Sequence, residues 1–144
     1  MVLRLITYGC GEKFDVAKFN PIKNKFIKPS GGLWASPVDS RYGWREWCAD
    51  NSFGDISSSF EFEFDGNVFV IDDTRAACRL PWIDLRDSKR PDFERVALLG
   101  YDAIWLTEDG ERKTRFDEPS LYGWDCESVL IMNPSGILIP KGSN

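Results

Sequence analysis

Short runs in which apolar and polar residues alternate recur along the chain, and a period of two predicts strands whose successive side chains face opposite ways. Val2 to Tyr8 reads as a first strand that stops at Gly9-Cys10-Gly11, and Phe14 to Pro29 as a polar loop or short helix. Gly31 to Ser36 is a second, short strand. Ser36-Pro37-Val38-Asp39 has the cap, first-turn proline and acidic residue of a helix start, after which Trp44, Trp47 and Cys48 share one helical face, with Gly43 weakening the helix. The clearest local signal is Phe60 to Ile71, which predicts a β-hairpin about Asp65-Gly66 with its phenylalanines inward and Glu61 and Glu63 on the wet face. Pro91 to Leu99 reads as a short helix stopped by Gly100, Tyr101 to Leu106 as a strand, Glu108-Asp109-Gly110 as a turn, and Glu127 to Met132 and Ile137 to Ile139 as closing strands. This order is α+β, without the strict alternation of a parallel Rossmann sheet.

One of these strands carries candidate chemistry. Trp124-Asp125-Cys126-Glu127-Ser128-Val129-Leu130-Ile131-Met132-Asn133-Pro134 sets two carboxylates two residues apart where a turn runs into an apolar strand. Strand alternation points Asp125 and Glu127 the same way, Cβ atoms roughly 7 Å apart, and turns Cys126 into the core. Burying two acids side by side is costly, so the pair at the mouth of a hydrophobic strand is a candidate functional site; exposed paired acids at a strand end are the plainer reading.

Composition narrows the setting. The 144 residues are 42% hydrophobic with 10 Phe, 6 Trp and 4 Tyr, enough apolar bulk for one domain over 1–144. The 4 cysteines, Cys10, Cys48, Cys78 and Cys126, show no C-x-x-C and the chain has no His, which argues against a structural metal site. Without a basic-then-apolar leader or an apolar run of about 18 residues, the expectation is a soluble, cytoplasmic protein with no membrane contact. A formal charge of -5 argues against broad electrostatic binding to a nucleic-acid backbone, so any such contact would be local.

Three separated stretches resemble the core motifs of the ADP-ribosyltransferase superfamily, the group that includes poly(ADP-ribose) polymerases and diphtheria- and cholera-type toxins. Gly32-Leu33-Trp34-Ala35-Ser36, followed by Ser40-Arg41-Tyr42, is similar to the polymerase pattern G-I-Y-F-A with its trailing S-x-S helix. Cys126 to Pro134 resembles the strand N-E-Y-I-V-Y-N-P, whose glutamate is catalytic, and Leu5 to Gly9 sits where the family carries L-x-H-G or an arginine strand. Gly100-Tyr101-Asp102-Ala103-Ile104 is similar to a G-Y-D-G-I found before the last strands in several branches. Order and spacing together give the resemblance its specificity.

The resemblance implies a fold of split mixed or antiparallel sheets with short flanking helices, and NAD as substrate. Glu127 would stabilise the oxocarbenium-like transition state of nicotinamide-ribose cleavage. Trp34 would pack on nicotinamide, with Tyr42 or Trp44 as additions, Gly9 would let its backbone approach the carboxamide, and Ser36 or Ser40 would supply hydroxyls. Asp125 would select or activate the acceptor, beside a recognition turn at Tyr122-Gly123-Trp124. The first-motif histidine is missing, which leaves Tyr8 or Thr7 there according to alignment, with Arg4 nearby as an arginine-type alternative. So small a domain fits a mono-transferase or NAD glycohydrolase better than chain elongation, its acceptor a protein in preference to a nucleic acid. The rival reading is a transferase-like fold that has lost catalysis and acts as a binding or inhibitory module.

Plainer readings stand beside these. Trp34, Trp44 and Trp47 are ordinary core residues by type, Gly31-Gly32 is no phosphate loop because no Lys-Ser/Thr follows it on a helix, and Arg86, Lys89 and Arg90 read as solvated loop.

Overall fold

The computed structural model describes residues 1–8, 15–52, 56–86, 88–117, 120–121 and 123–138. Among them the elements run β1 (Val2–Tyr8), β2 (Leu33–Pro37), α1 (Trp44–Asn51), β3 (Ser59–Asp65), β4 (Val68–Ile71), α2 (Thr74–Cys78) and β5 (Trp82–Asp84). They continue with β6 (Lys89–Pro91), α3 (Phe93–Leu98), β7 (Ala103–Leu106), α4 (Glu108–Thr114), β8 (Ser128–Ile131) and β9 (Ile137–Leu138). The fold is α+β: a 7-stranded mixed sheet in the order β4-β7-β8-β2-β1-β3-β9, and a separate β5-β6 ladder. Among the described residues only β4 and β7 pair in parallel within the large sheet.

The connection between β3 and β4 dictates the shape of that sheet. Gly66 and Asn67 alone join them, yet the strands stand five places apart. In a flat sheet that is about 24 Å at roughly 4.8 Å per strand, whereas three Cα steps reach about 11 Å at most. The sheet therefore coils until the two ends meet. Asp102, just before β7, closes the junction: its carboxylate accepts from the Asn67 N–H at 2.8 Å and its own N–H donates to the Asn67 carbonyl at 2.7 Å.

The predicted hairpin is thus corrected. Asp65-Gly66 does turn the chain, but β3 pairs with β1 and β9 while β4 pairs with β7. A local turn signal says nothing about which long-range partner buries each strand better. Phe62 and Phe64 do face inward and Glu61 and Glu63 outward.

Strand alternation divides the core in two. Inside the coil Leu5, Phe62 and Phe64 pack with Leu33, Ala35, Ala103, Val129 and Ile131. On the other face Phe69, Ile71, Ile104, Leu106 and Leu130 are covered by Ala76 and Ala77 of α2 and Phe93 and Val96 of α3. Burying side chains of this size stabilises by about 1.5–3 kcal/mol each before chain entropy is counted.

Two helical expectations and one loop expectation change. The predicted start at Ser36 is a strand end, and α1 begins after Gly43; the Ser36 hydroxyl still caps it from a distance, accepting from the Trp44 N–H at 2.9 Å. Glu108-Asp109-Gly110 opens α4 rather than a turn, because Thr107 accepts from the Gly110 N–H at 3.0 Å and acids fill the first turn. Gly110 suits that helix for a packing reason: a Cβ there would lie 2.0 Å from the Ile71 carbonyl oxygen. Lys89 and Arg90 lie on β6, not in a loop. The α3 expectation holds, with Asp92 as cap and Gly100 at φ +97° beyond its end. Among the described residues no helix is long and apolar enough to cross a membrane.

Candidate active site around Glu127

β2 is the element that assembles the site. Its first half pairs with β8, Leu33 opposite Ile131 and Ala35 opposite Val129, and its second half pairs with β1, Ile6 opposite Ser36 and Leu5 opposite Pro37. The three stretches at Leu5–Tyr8, Leu33–Ser36 and Glu127–Met132, up to a hundred-odd residues apart in sequence, are therefore neighbours in space.

Glu127 precedes β8 and is 8% exposed. Its N–H donates to the Tyr42 carbonyl at 3.0 Å, its carbonyl accepts from the Ser36 hydroxyl at 2.8 Å, and its Oε2 accepts from the Trp105 indole N–H at 3.0 Å. Burial pushes the carboxyl above its ordinary range; the Trp105 bond opposes that, the charges of Glu108 and Asp39 add to it, and the Glu108 backbone amide opposes it. A buried carboxylate held by an indole donor, on a backbone tied at two points, is suited to stabilising developing positive charge.

Asp125 does not join it, which corrects the shared face predicted from alternation. β8 begins only at Ser128, and residues 126–127 form a bend, so the period of two does not extend back to Asp125. Its carboxylate instead meets Lys28 at 3.8 Å and Arg115 at 3.6 Å. The Lys28 ammonium stands 4.8 Å from the Trp44 ring, 5.6 Å from Trp34 and 6.0 Å from Trp47.

Trp34 lies on that same side. It pairs with Leu130, on the face away from Val129 and Trp105, and its ring meets Trp124 edge-on at 4.8 Å and Trp44 at 5.8 Å. The indole expected on nicotinamide is thus part of the packing, across the sheet from the Glu127 carboxylate. Trp124 itself is 1% exposed and donates to the Ile27 carbonyl at 2.9 Å.

The other expected residues divide. Ser36 and Ser40 flank Gly43, where a Cβ would come within 2.5 Å of the Ser40 hydroxyl and 2.8 Å of that of Ser36, but the Ser36 hydroxyl is already engaged with Glu127 and Trp44. The Tyr42 hydroxyl donates to Asp50 at 2.9 Å, a bond that pushes it up to about 12. Tyr42 also lines an open cavity of about 380 Å³ with Arg45, Glu46, Ala49 and Asp50. Tyr8 alternates to the outer face, near Arg45 and Glu46, whereas Thr7 is buried and donates to the Trp34 carbonyl at 2.7 Å. Arg4 pairs with Glu61 at 3.7 Å on the outer face. Gly9, Cys10 and Tyr122 lie outside the described residues. Cys126 is buried as expected, and burial pushes its thiol up to about 12, an inert group at neutral pH.

Sequence reasoning missed Trp105, Asp39, Glu108 and Lys28. Trp105 is legible only once β7 is known to pair with β8, and the others have no local signature at all. Among the described residues no cluster of His, Cys, Asp and Glu is placed to hold a metal ion. Comparison of the chain with protein-family models, with curated proteins and with solved structures finds no match.

Proposed function

We propose that the chain is an NAD-dependent mono-ADP-ribosyltransferase in which Glu127 is the catalytic carboxylate, its two sheet halves meeting at β2 in the split-sheet manner of that superfamily. The observation that carries the reading is the adjacency of β1, β2 and β8, the strands that hold the three stretches resembling the family's motifs.

In the proposed reaction the ribose C1′–nicotinamide N bond breaks heterolytically, its electron pair leaves with the ring nitrogen, and the oxocarbenium-like ribose is stabilised by Glu127. An acceptor nucleophile or water then bonds to C1′ and loses its proton. The cavity lined by Tyr42, Arg45, Glu46, Ala49 and Asp50 would take the dinucleotide with its phosphates toward Arg45, and the Tyr42 carbonyl accepts from the Glu127 backbone N–H. Trp34 is assigned to packing and Asp125 to its ion pairs, so neither stacking nor acceptor activation is ascribed to them.

One observation favours the second reading, a transferase-like module without catalysis. Trp34 and Ser36, within the resembling stretch, are committed to packing and to structural hydrogen bonds. Incubation with NAD and a whole-cell lysate separates the two: the enzyme releases nicotinamide and labels macromolecules, and the module does neither.

A further inference from the structure

We infer that Trp105 is a positioning residue for Glu127, its indole N–H holding one carboxylate oxygen so that the other is presented to bound substrate. This rests on Glu127 being the catalytic group. Trp105 stands opposite Val129 across the β7–β8 ladder, and Leu106 stands opposite Ser128. Glu127 lies one residue beyond the end of this ladder, and there the Trp105 Nε1 lies 3.0 Å from its Oε2.

An indole nitrogen donates and cannot accept. It therefore favours the ionised carboxylate, which accepts more strongly than the carbonyl oxygen of the neutral acid. The charges of Glu108 at the start of α4 and Asp39 in the turn after β2 disfavour ionisation of the same carboxylate, while the Glu108 backbone amide joins the Trp105 indole in favouring it. Arg41 pairs with Glu108 at 3.6 Å and softens that repulsion. Trp105 is itself packed against the inner cluster that includes Val129 and Ala103, so the donor is fixed before any ligand arrives. A preset donor avoids reorganisation at the moment positive charge develops.

Two measurements decide the matter. In NAD-free protein, the Glu127 carboxyl is titrated by ¹³C resonance while the Trp105 indole ¹H–¹⁵N resonance is followed through the same series. The indole signal should move with the Glu127 midpoint, and Trp105→Phe, which removes the donor, should raise that midpoint. An indole signal indifferent to the Glu127 titration overturns the inference, and that reading holds even where Trp105→Phe does not fold. In NAD cleavage, Trp105→Phe should lower kcat about tenfold or more and move the acid limb of the rate profile to higher pH, with little change in KM. Full kcat and an unmoved limb in the folded variant overturn it. If the wild type releases no nicotinamide, the NAD reading fails by itself and the titration alone decides whether Trp105 governs Glu127.

Discussion

One residue separates Asp125 from Glu127, yet their carboxylates are held on opposite sides of the sheet, Asp125 by Lys28 and Arg115 and Glu127 by the Trp105 indole. The separation gives the two acids different work, and different consequences when each is removed.

Removing Asp125 leaves Lys28 without this acid, while Arg115 keeps Glu111 at 2.8 Å. With the Asp125 side chain 20% exposed, Asp125→Ala should cost about 1–2 kcal/mol, read from the urea midpoint. The ratio of macromolecular transfer to NAD hydrolysis should stay as in wild type. A selective loss of transfer would restore the acceptor role that the family resemblance implies.

Trp34→Ala should act mainly on folding. The ring is wedged against Trp124 and Trp44 beneath the Lys28 ammonium, so its loss should cost about 3 kcal/mol. Denaturant melts and NAD titration on the same preparation check this; a stable variant with weakened NAD binding would return Trp34 to the ligand.

Glu127 should depress stability as pH rises. Its folded pKa lies above the ordinary 4.5, so between the two values the native state binds more protons than the unfolded chain and stability falls with increasing pH. Glu127→Gln should match wild type in acid below that window and exceed it at neutral pH. Thermal melts across pH 4–8 would show the two curves diverging upward; parallel curves would mean that the carboxylate carries no burial penalty.

Gly110→Ala tests how α4 brings Glu108 to the site. The added methyl would collide with the Ile71 carbonyl, backbone against backbone, and should cost about 3 kcal/mol or more. A helix that tolerates the change would place α4 differently.

Much of the fold is legible in the sequence, because strand alternation and helix caps are local signals. Val2–Tyr8 is found to the residue and α3 between Asp92 and Gly100 nearly so, while Cys126 is buried as expected although it lies in the bend before β8. Pairing is not local. Asp65-Gly66 marks a turn, but only the coil of the whole sheet sends β3 and β4 to different partners. The same limit hid part of the site: Glu127 stands out with Asp125 as a pair of acids before an apolar strand, whereas Trp105 reaches it through a strand pairing that no motif encodes. The bend before Ser128 ended the alternation two residues too soon for Asp125 to share its face, and helix α2, only Thr74–Cys78, is too short to show a period.

The central claim is that Glu127 stabilises the cationic ribose as nicotinamide leaves, and its most direct test is free nicotinamide released from NAD by wild type and by Glu127→Gln. The amide keeps the shape and removes the charge, so the folded variant should lose on the order of 100-fold or more in turnover. Equal release by a folded Glu127→Gln protein would contradict it.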